Sequence, residues 1–284
     1  MYVISNPTPD EIVIAANALK NGHLVSFPTE TVYGLGADAT NEKAVGKIYM
    51  AKGRPKNHPV IVHISSANQV ENWAREIPEY AISLASAYWP GPMTLILKRN
   101  SRASDFITGG QESVGLRVPN QQVALALTRE FEKLGGFGIA APSANRFGSI
   151  SPTTAQAVEE ELGKFLGSED LILDKGQCEI GVESSIIDCT QVNPVVLRPG
   201  AITKELIEEI NLDNKVFGID NSPHIIFGAG NFPKNDFNLN YTDLDLHEFI
   251  LKGIIGVISH HTFEEFIFDK SVDISGNLNF IHKL

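Results

Sequence analysis

Lys52-Gly53-Arg54-Pro55-Lys56 places two cations either side of a glycine at the end of a predicted helix, a spacing suited to gripping an anion. The glycine lets the backbone approach a ligand and the proline ends the helix, so the pattern predicts Lys52 and Arg54 as exposed residues splayed into a cleft. The same cations would also complement the negative end of the helix, a purely structural use. Further polar clusters follow predicted strands: Pro28-Thr29-Glu30-Thr31-Val32-Tyr33-Gly34-Leu35-Gly36, Pro142-Ser143-Ala144-Asn145-Arg146, Glu183-Ser184-Ser185 and Arg198-Pro199-Gly200. Functional groups gather where strands open into loops. Arg117 is different, because it sits inside the apolar run Val114-Gly115-Leu116-Arg117-Val118. Leu116 and Val118 face away from it, so its guanidinium needs a partner or a ligand carboxylate. No Asp or Glu adjoins it in sequence, and a ligand and an ion pair both remain open. His58 and His63 flank a predicted strand, where a lone histidine is more often structural than catalytic. Taken together, the clusters point to a small-molecule anion site for phosphate plus carboxylate.

Other chemistries lack their patterns. There is no Ser-His-Asp ordering and no Walker lysine, and Gly34 and Gly36 are not followed by the third glycine of a dinucleotide loop. Cys178 and Cys189 have no His or Cys at metal-ligand spacing, so they read as partly buried free thiols rather than zinc ligands or a disulfide. No carboxylate cage for a metal is evident.

The elements that must position these residues alternate through the first 200 positions. Strands are predicted at 23–28, 60–64, 93–97, 114–118, 138–141, 171–173, 185–188 and 195–197. Helices are predicted at 42–51, 67–73, 80–88 and 123–133, at a segment capped by Thr153 or Thr154 and running to about 165, and at 204–210. This is the pattern of an α/β domain. An Asn-, Asp-, Gly- and Pro-rich stretch then predicts a linker at 206–223 between a main domain at 1–205 and a small α/β C-terminal domain at 224–284.

Composition narrows the class. With 284 residues, 43% hydrophobic and 20% charged, the chain has the make-up of a folded globular protein rather than a disordered, collagenous or coiled-coil one. The net charge of −11 divides unevenly. Residues 1–200 carry 17 basic and 21 acidic side chains, whereas 201–284 carry 6 and 13. All eight arginines lie at or before Arg198, so any guanidinium fork for phosphate or carboxylate belongs to the first domain. The acidic balance disfavours a dedicated nucleic-acid binder. No apolar stretch approaches the roughly 20 residues of a membrane span, and the N-terminal residues lack the layout of a secretory signal, so a cytoplasmic location with no membrane partner is expected.

From about Gly22 to Ile202 the chain resembles the Sua5/YrdC/YciO family, specifically its threonylcarbamoyl-AMP synthases. The blocks that carry the likeness are PTETVYGLG, KGRP, the VHI strand, WPGPMTLIL, LRVPN, APSAN, ESSIID and LRPGAI. The resemblance implies a YrdC-like α/β fold, a twisted sheet flanked by helices with a concave, positively charged cleft. It implies a reaction of L-threonine, bicarbonate and ATP, with Mg2+, giving threonylcarbamoyl-AMP and pyrophosphate. A downstream transferase complex then modifies adenosine 37 of tRNA, with tRNA itself at most a transient partner. By the same resemblance Lys52, Arg54, Ser143 and Asn145 are the catalytic group. Arg54, His58, Ser113, Ser143, Ser151 and Arg198 contact ATP, and Thr31, His63, Arg117, Ala141 and Ser184 form the threonine pocket. The Ser143/Asn145 pair would also help hold the metal.

Two departures from the family pattern stand out. His58 replaces the usual Asn before the VHI strand. Ser222-Pro223-His224-Ile225-Ile226-Phe227 begins like the linker motif of the long members but lacks its His-Tyr pair, which predicts a shortened, divergent C-terminal domain. Two other readings are a YciO-like relative acting on another amine and a non-catalytic RNA-binding module. The first is opposed by the matching threonine-pocket residues, the second by the acidic charge.

Overall fold

The computed structural model describes residues 1–210; the predicted small domain and all but the start of the predicted linker lie outside the described residues. Strands β1 (Tyr2–Ser5), β2 (Val25–Phe27), β3 (Gly34–Asp38), β4 (Val62–His63), β5 (Met93–Lys98), β6 (Ser113–Arg117), β7 (Ile139–Ala140), β8 (Leu171–Asp174), β9 (Ser185–Asp188) and β10 (Val195–Arg198) form one sheet. Their order is β1-β8-β2-β3-β7-β4-β6-β5-β9-β10, with parallel and antiparallel neighbours mixed, so the fold is the expected mixed sheet flanked by helices.

The helices are α1 (Pro9–Lys20), α2 (Glu42–Lys52), α3 (Glu79–Tyr88), α4 (Asp105–Thr108), α5 (Gln122–Lys133), α6 (Ala155–Leu162) and α7 (Lys204–Glu208). Their ends follow local chemistry. Thr8 and Glu11 close a reciprocal capping box at the start of α1, and Thr154 accepts from the Ala157 N–H to open α6. Gly53 ends α2 in the left-handed region at φ 63°, where a side chain would be strained and would also meet the Arg146 guanidinium. The segment predicted as a helix at 67–73 is a 3₁₀ helix, Ala67–Asn72. Both β1 and α1 went unpredicted, although the Thr8-Pro9-Asp10-Glu11 start is a strong capping sequence. The last third of the PTETVYGLG segment, from Gly34 to Gly36, is strand β3 rather than loop.

The two faces of the sheet are covered differently. Alternation places Leu35, Ala37, Val62, Ile64, Leu95, Leu97, Leu116 and Ile187 in a large core shared with α2, α3 and α6. On the other face α1 and α5 pack over Val25, Phe27, Ile139 and Leu171 at one end. A separate small cluster of Ile96, Ile186, Val195 and Leu197 on β5, β9 and β10, joined by Ile61 just before β4, lies at the other end. Between these apolar patches the strands present His63, Thr94, Arg117, Ser184 and Arg198, all buried. The sheet therefore supplies a polar floor flanked by apolar shoulders. Cys178 and Cys189 are free and buried, as the sequence predicts.

Candidate active site

Strand register builds the floor of the site. β4 pairs with β6 so that His63 lies directly beside Arg117, and with β7 so that His63 lies opposite Ile139. β5 pairs with β9 and brings Thr94 to Ser184, whose hydroxyls are 2.9 Å apart. An irregular register between β9 and β10 sets Arg198 opposite Ile186, and its guanidinium reaches Ser184, donating from Nε to the carbonyl at 2.9 Å and from NH2 to the hydroxyl at 3.0 Å. One wall is PTETVYGLG, tied to APSAN by Leu35 N–H donating to Pro142 O and Ala144 N–H donating to Tyr33 O. The Thr29 hydroxyl anchors that wall by donating to Val32 O at 2.7 Å. Thr29, Gly34, His63, Arg117, Ala141, Ser143, Glu183 and Ser184 converge on one narrow pocket of about 20 Å³, roughly the space of one water.

The anion cradle differs from its expected form. Lys52 and Arg54, predicted as exposed, are buried at 2% and 5% exposure. Gly53 turns the chain back on α2 instead of releasing it, and APSAN closes over the lysine. Lys52 Nζ donates to the carbonyls of Ser143 and Asn145, at 2.6 Å for the latter. Burial is the main cause that pulls its pKa down to about 7, helped by the neighbouring Arg54 charge and opposed by Glu183 and Glu161. Arg54 donates from NH2 to Pro59 O at 2.8 Å, while its Nε, buried, has no partner. Burial pulls its pKa down too, as it does for Arg198.

Arg117 has the acidic partner that its neighbours in sequence do not offer. Its NH2 donates to Glu30 Oε1 at 2.6 Å, its NH1 to the Thr31 hydroxyl at 3.0 Å and its Nε to Gly91 O at 3.3 Å. Three of five N–H groups are engaged, leaving one on each terminal nitrogen, the number a carboxylate takes in a bidentate pair. His63 packs edge-on against Phe27, and its Nδ1 has no hydrogen-bond partner. Burial first, and the Arg117 charge second, push its pKa down to about 3, so it is neutral at physiological pH.

The remaining predicted residues surround this centre. His58 packs edge-on against Phe147, its Nδ1 is also unpartnered, and burial lowers its pKa. The Ser151 hydroxyl donates to Glu183 Oε1 at 2.6 Å, and Glu183 Oε2 lies 3.5 Å from Arg198 NH2. Ala141 lines the pocket beside Gly34. Ser113 stands apart. It opens β6, four positions and about 13 Å along the strand from Arg117, and does not line the pocket. Glu30 and Thr94 are the contributors that sequence reasoning missed, although an arginine on a buried strand face is itself a signal that a buried carboxylate must be found. Among the described residues no group of three or more His, Cys, Asp or Glu could hold a metal ion.

Comparison with known proteins places this arrangement. The family described as Telomere recombination, Sua5/YciO/YrdC, matches residues 17–200. The chain is 48% identical over 212 residues to the threonylcarbamoyl-AMP synthase of Pyrococcus abyssi, covering 73% of this chain and 60% of the relative. It is 48% identical over 202 residues to the same-named enzyme of Bacillus subtilis, covering 70% and 56%. The chain thus spans less than two thirds of these relatives' length. The crystal structure of P. abyssi Sua5 complexed with L-threonine aligns with a TM-score of 0.70 at 44% identity, covering 76% of this chain and 62% of that one. The structure of Escherichia coli YciO shares the fold, with a TM-score of 0.61 at 23% identity.

Proposed function

Since the chain belongs to the Sua5/YciO/YrdC family, we propose that it is an L-threonylcarbamoyladenylate synthase, joining L-threonine, bicarbonate and ATP to give threonylcarbamoyl-AMP and pyrophosphate. The observation that carries this reading is the set of buried cations that line one pocket or bond to its lining. Lys52 and Arg54, within each other's electrostatic reach, suit phosphates, Arg198 lies near Arg117 and Glu183, and Arg117, with two N–H groups left, suits a carboxylate. The relatives' names and the threonine bound to P. abyssi Sua5 support the substrate assignment.

The chemistry follows from those groups. The threonine amine adds to CO2 from bicarbonate, losing a proton and giving a carbamate. A carbamate oxygen then attacks the α-phosphorus, the bond to the β-phosphate oxygen breaks, and pyrophosphate leaves. Such a displacement depends on positioning and charge neutralisation more than on a covalent group from the protein. Arg117 holds the amino-acid carboxylate, with Thr31, His63, Ala141 and Ser184 around it. Lys52 and Arg54 hold the carbamate against the phosphates, and Arg198, Ser143, Asn145, Ser151 and His58 hold the nucleotide. The oxygen donors beside these cations, Asn145 Oδ1 and the Glu183 carboxylate, suit a hard cation that takes most of its ligands from phosphate and water. Mg2+ would enter on ATP and neutralise phosphate charge. The product is a mixed anhydride, fit for handing to a separate transferase that modifies tRNA.

The test is pyrophosphate release by the full chain with Mg-ATP and bicarbonate, with and without L-threonine and against L-serine. Release that requires threonine is the expected result. Release indifferent to the amino acid, or none while ATP still binds, would overturn the assignment and favour a relative acting on another amine.

A further inference from the structure

Arg117 lines the pocket, Lys52, Arg54 and Arg198 bond to Ser143, Pro59 and Ser184 of its lining, and these four buried cations are neutralised in different ways. Lys52 and Arg54 bond to backbone carbonyls, and Arg198 to the Ser184 carbonyl and hydroxyl with a partly buried Glu183 at 3.5 Å. Arg117 is ion-paired to a carboxylate as buried as itself: the two side chains are 4% and 5% exposed. Both oxygens of Glu30 are fixed, Oε1 by Arg117 and Oε2 by the Asn120 N–H at 2.9 Å. Its backbone is pinned as well, with Glu30 O accepting from Ile180 N–H and Thr31 O from Gly181 N–H.

A carboxylate beside a carboxylate-binding arginine looks self-defeating, because it repels the incoming anion. The repulsion is useful if the ligand also carries a positive charge. Against Arg117 alone an α-amino acid gains at its carboxylate and loses at its ammonium. Against the Glu30–Arg117 pair the ammonium is repelled by one member and attracted by the other, so the loss is cancelled. A bare anion has no positive group to gain from Glu30 and suffers only its repulsion. Among the described residues Lys52 and Arg54 have no such fully buried counter-charge, and they stay suited to phosphates.

We propose that Glu30 is a specificity-determining residue which makes the Arg117 subsite selective for zwitterionic α-amino acids over simple anions. This rests on the reading of the Arg117 end as the amino-acid subsite. The selection keeps phosphate and bicarbonate, which the other half of the cleft must bind, from occupying the carboxylate position.

The test compares binding of L-threonine with that of its amine-free analogue, 3-hydroxybutyrate, by calorimetry on the full chain. The wild type is expected to bind threonine at least about tenfold more tightly, and Glu30→Gln to shrink that ratio several-fold by gaining affinity for the analogue relative to threonine. Equal binding of the two ligands by the wild type would overturn the proposal without any variant being needed. So would an unchanged ratio in a Glu30→Gln protein that melts earlier, since a merely structural carboxylate changes stability and not the ratio. Glycine and serine, each with its amine-free analogue, separate this proposal from the synthase reading. Selectivity for amino acids without threonine-dependent pyrophosphate release leaves the role of Glu30 standing and removes the substrate, whereas failure of every α-amino acid to bind overturns both.

Discussion

ATP binding should draw a proton from solution at pH 8, and Lys52 should be the group that takes it. Its ammonium is buried beneath APSAN and its pKa is pulled from 10.5 to about 7, chiefly by burial and next by Arg54. At pH 8 roughly a tenth of the protein then carries a charged Lys52. A phosphate placed against the amine favours the charged form, and a return of the pKa to about 9 or above leaves it about nine-tenths protonated, an uptake of roughly 0.8 proton per ATP. At pH 6 the lysine is already charged and uptake from this source falls to about 0.1 proton. Calorimetric titration of ATP in buffers of different ionisation enthalpy reads the number directly. The free protein gives a second measure. Between about pH 7 and 10.5 the unfolded chain binds a proton at Lys52 that the folded chain does not, so stability rises with pH across that window. Lys52→Met should flatten this rise. No uptake at pH 8 in the wild type, or the same stability slope in Lys52→Met, would refute the reasoning.

Other perturbations have equally definite outcomes. His63 stays neutral to about pH 3 while its unfolded form protonates near 6.5, so stability should be lost as pH falls through that interval, by a few kcal/mol in all; His63→Gln should melt less pH-dependently there in acid titrations followed by circular dichroism. Arg117→Lys keeps the charge opposite Glu30 but loses the planar fork. The KM for threonine should rise roughly 10- to 100-fold with that for ATP little changed, and equal effects on both would mean that Arg117 is structural. Gly200→Ala would place a methyl 2.5 Å from Ser185 N and 2.6 Å from Glu183 O, forcing apart the strand end that carries Ser184. A loss of about 1–3 kcal/mol in denaturant melts is expected, together with weakened ATP binding.

Much of this architecture is legible in sequence because it is local. Alternating runs such as Val114–Arg117 give the strands, the Val45, Ile48 and Tyr49 face gives α2, and Thr154 marks the start of α6. The Lys52-Gly53-Arg54 cluster is equally visible, but its burial is not. Whether a cation at a helix end meets solvent depends on what packs over it, and here that is a segment more than 90 residues away. The same holds for Glu30 and Arg117, 87 positions apart and joined only by the sheet. His63 beside Arg117 is a matter of register between β4 and β6, which no run of residues specifies alone.

The missed partners share a physical origin that also explains how the cleft works. Arg117 and Arg198 rise from strands on a face where α1 and α5 cover one end and a small apolar cluster the other, so their guanidiniums are removed from water before any ligand arrives. A desolvated cation is costly unless it is hydrogen-bonded, which is why carbonyls of Ser143, Asn145, Pro59, Ser184 and Gly91 point at the four cations. Carbonyls leave the net positive charge in place, and a carboxylate cancels it. Where the fold uses carbonyls, Arg54 keeps its attraction for phosphates, and Lys52 gains its charge as a phosphate binds. Where it uses Glu30 it gives up that attraction and retains only the geometry of the fork. Groups for differently charged substrates can thus border one pocket, and Glu30→Gln should blur that distinction while leaving the arginines where they are.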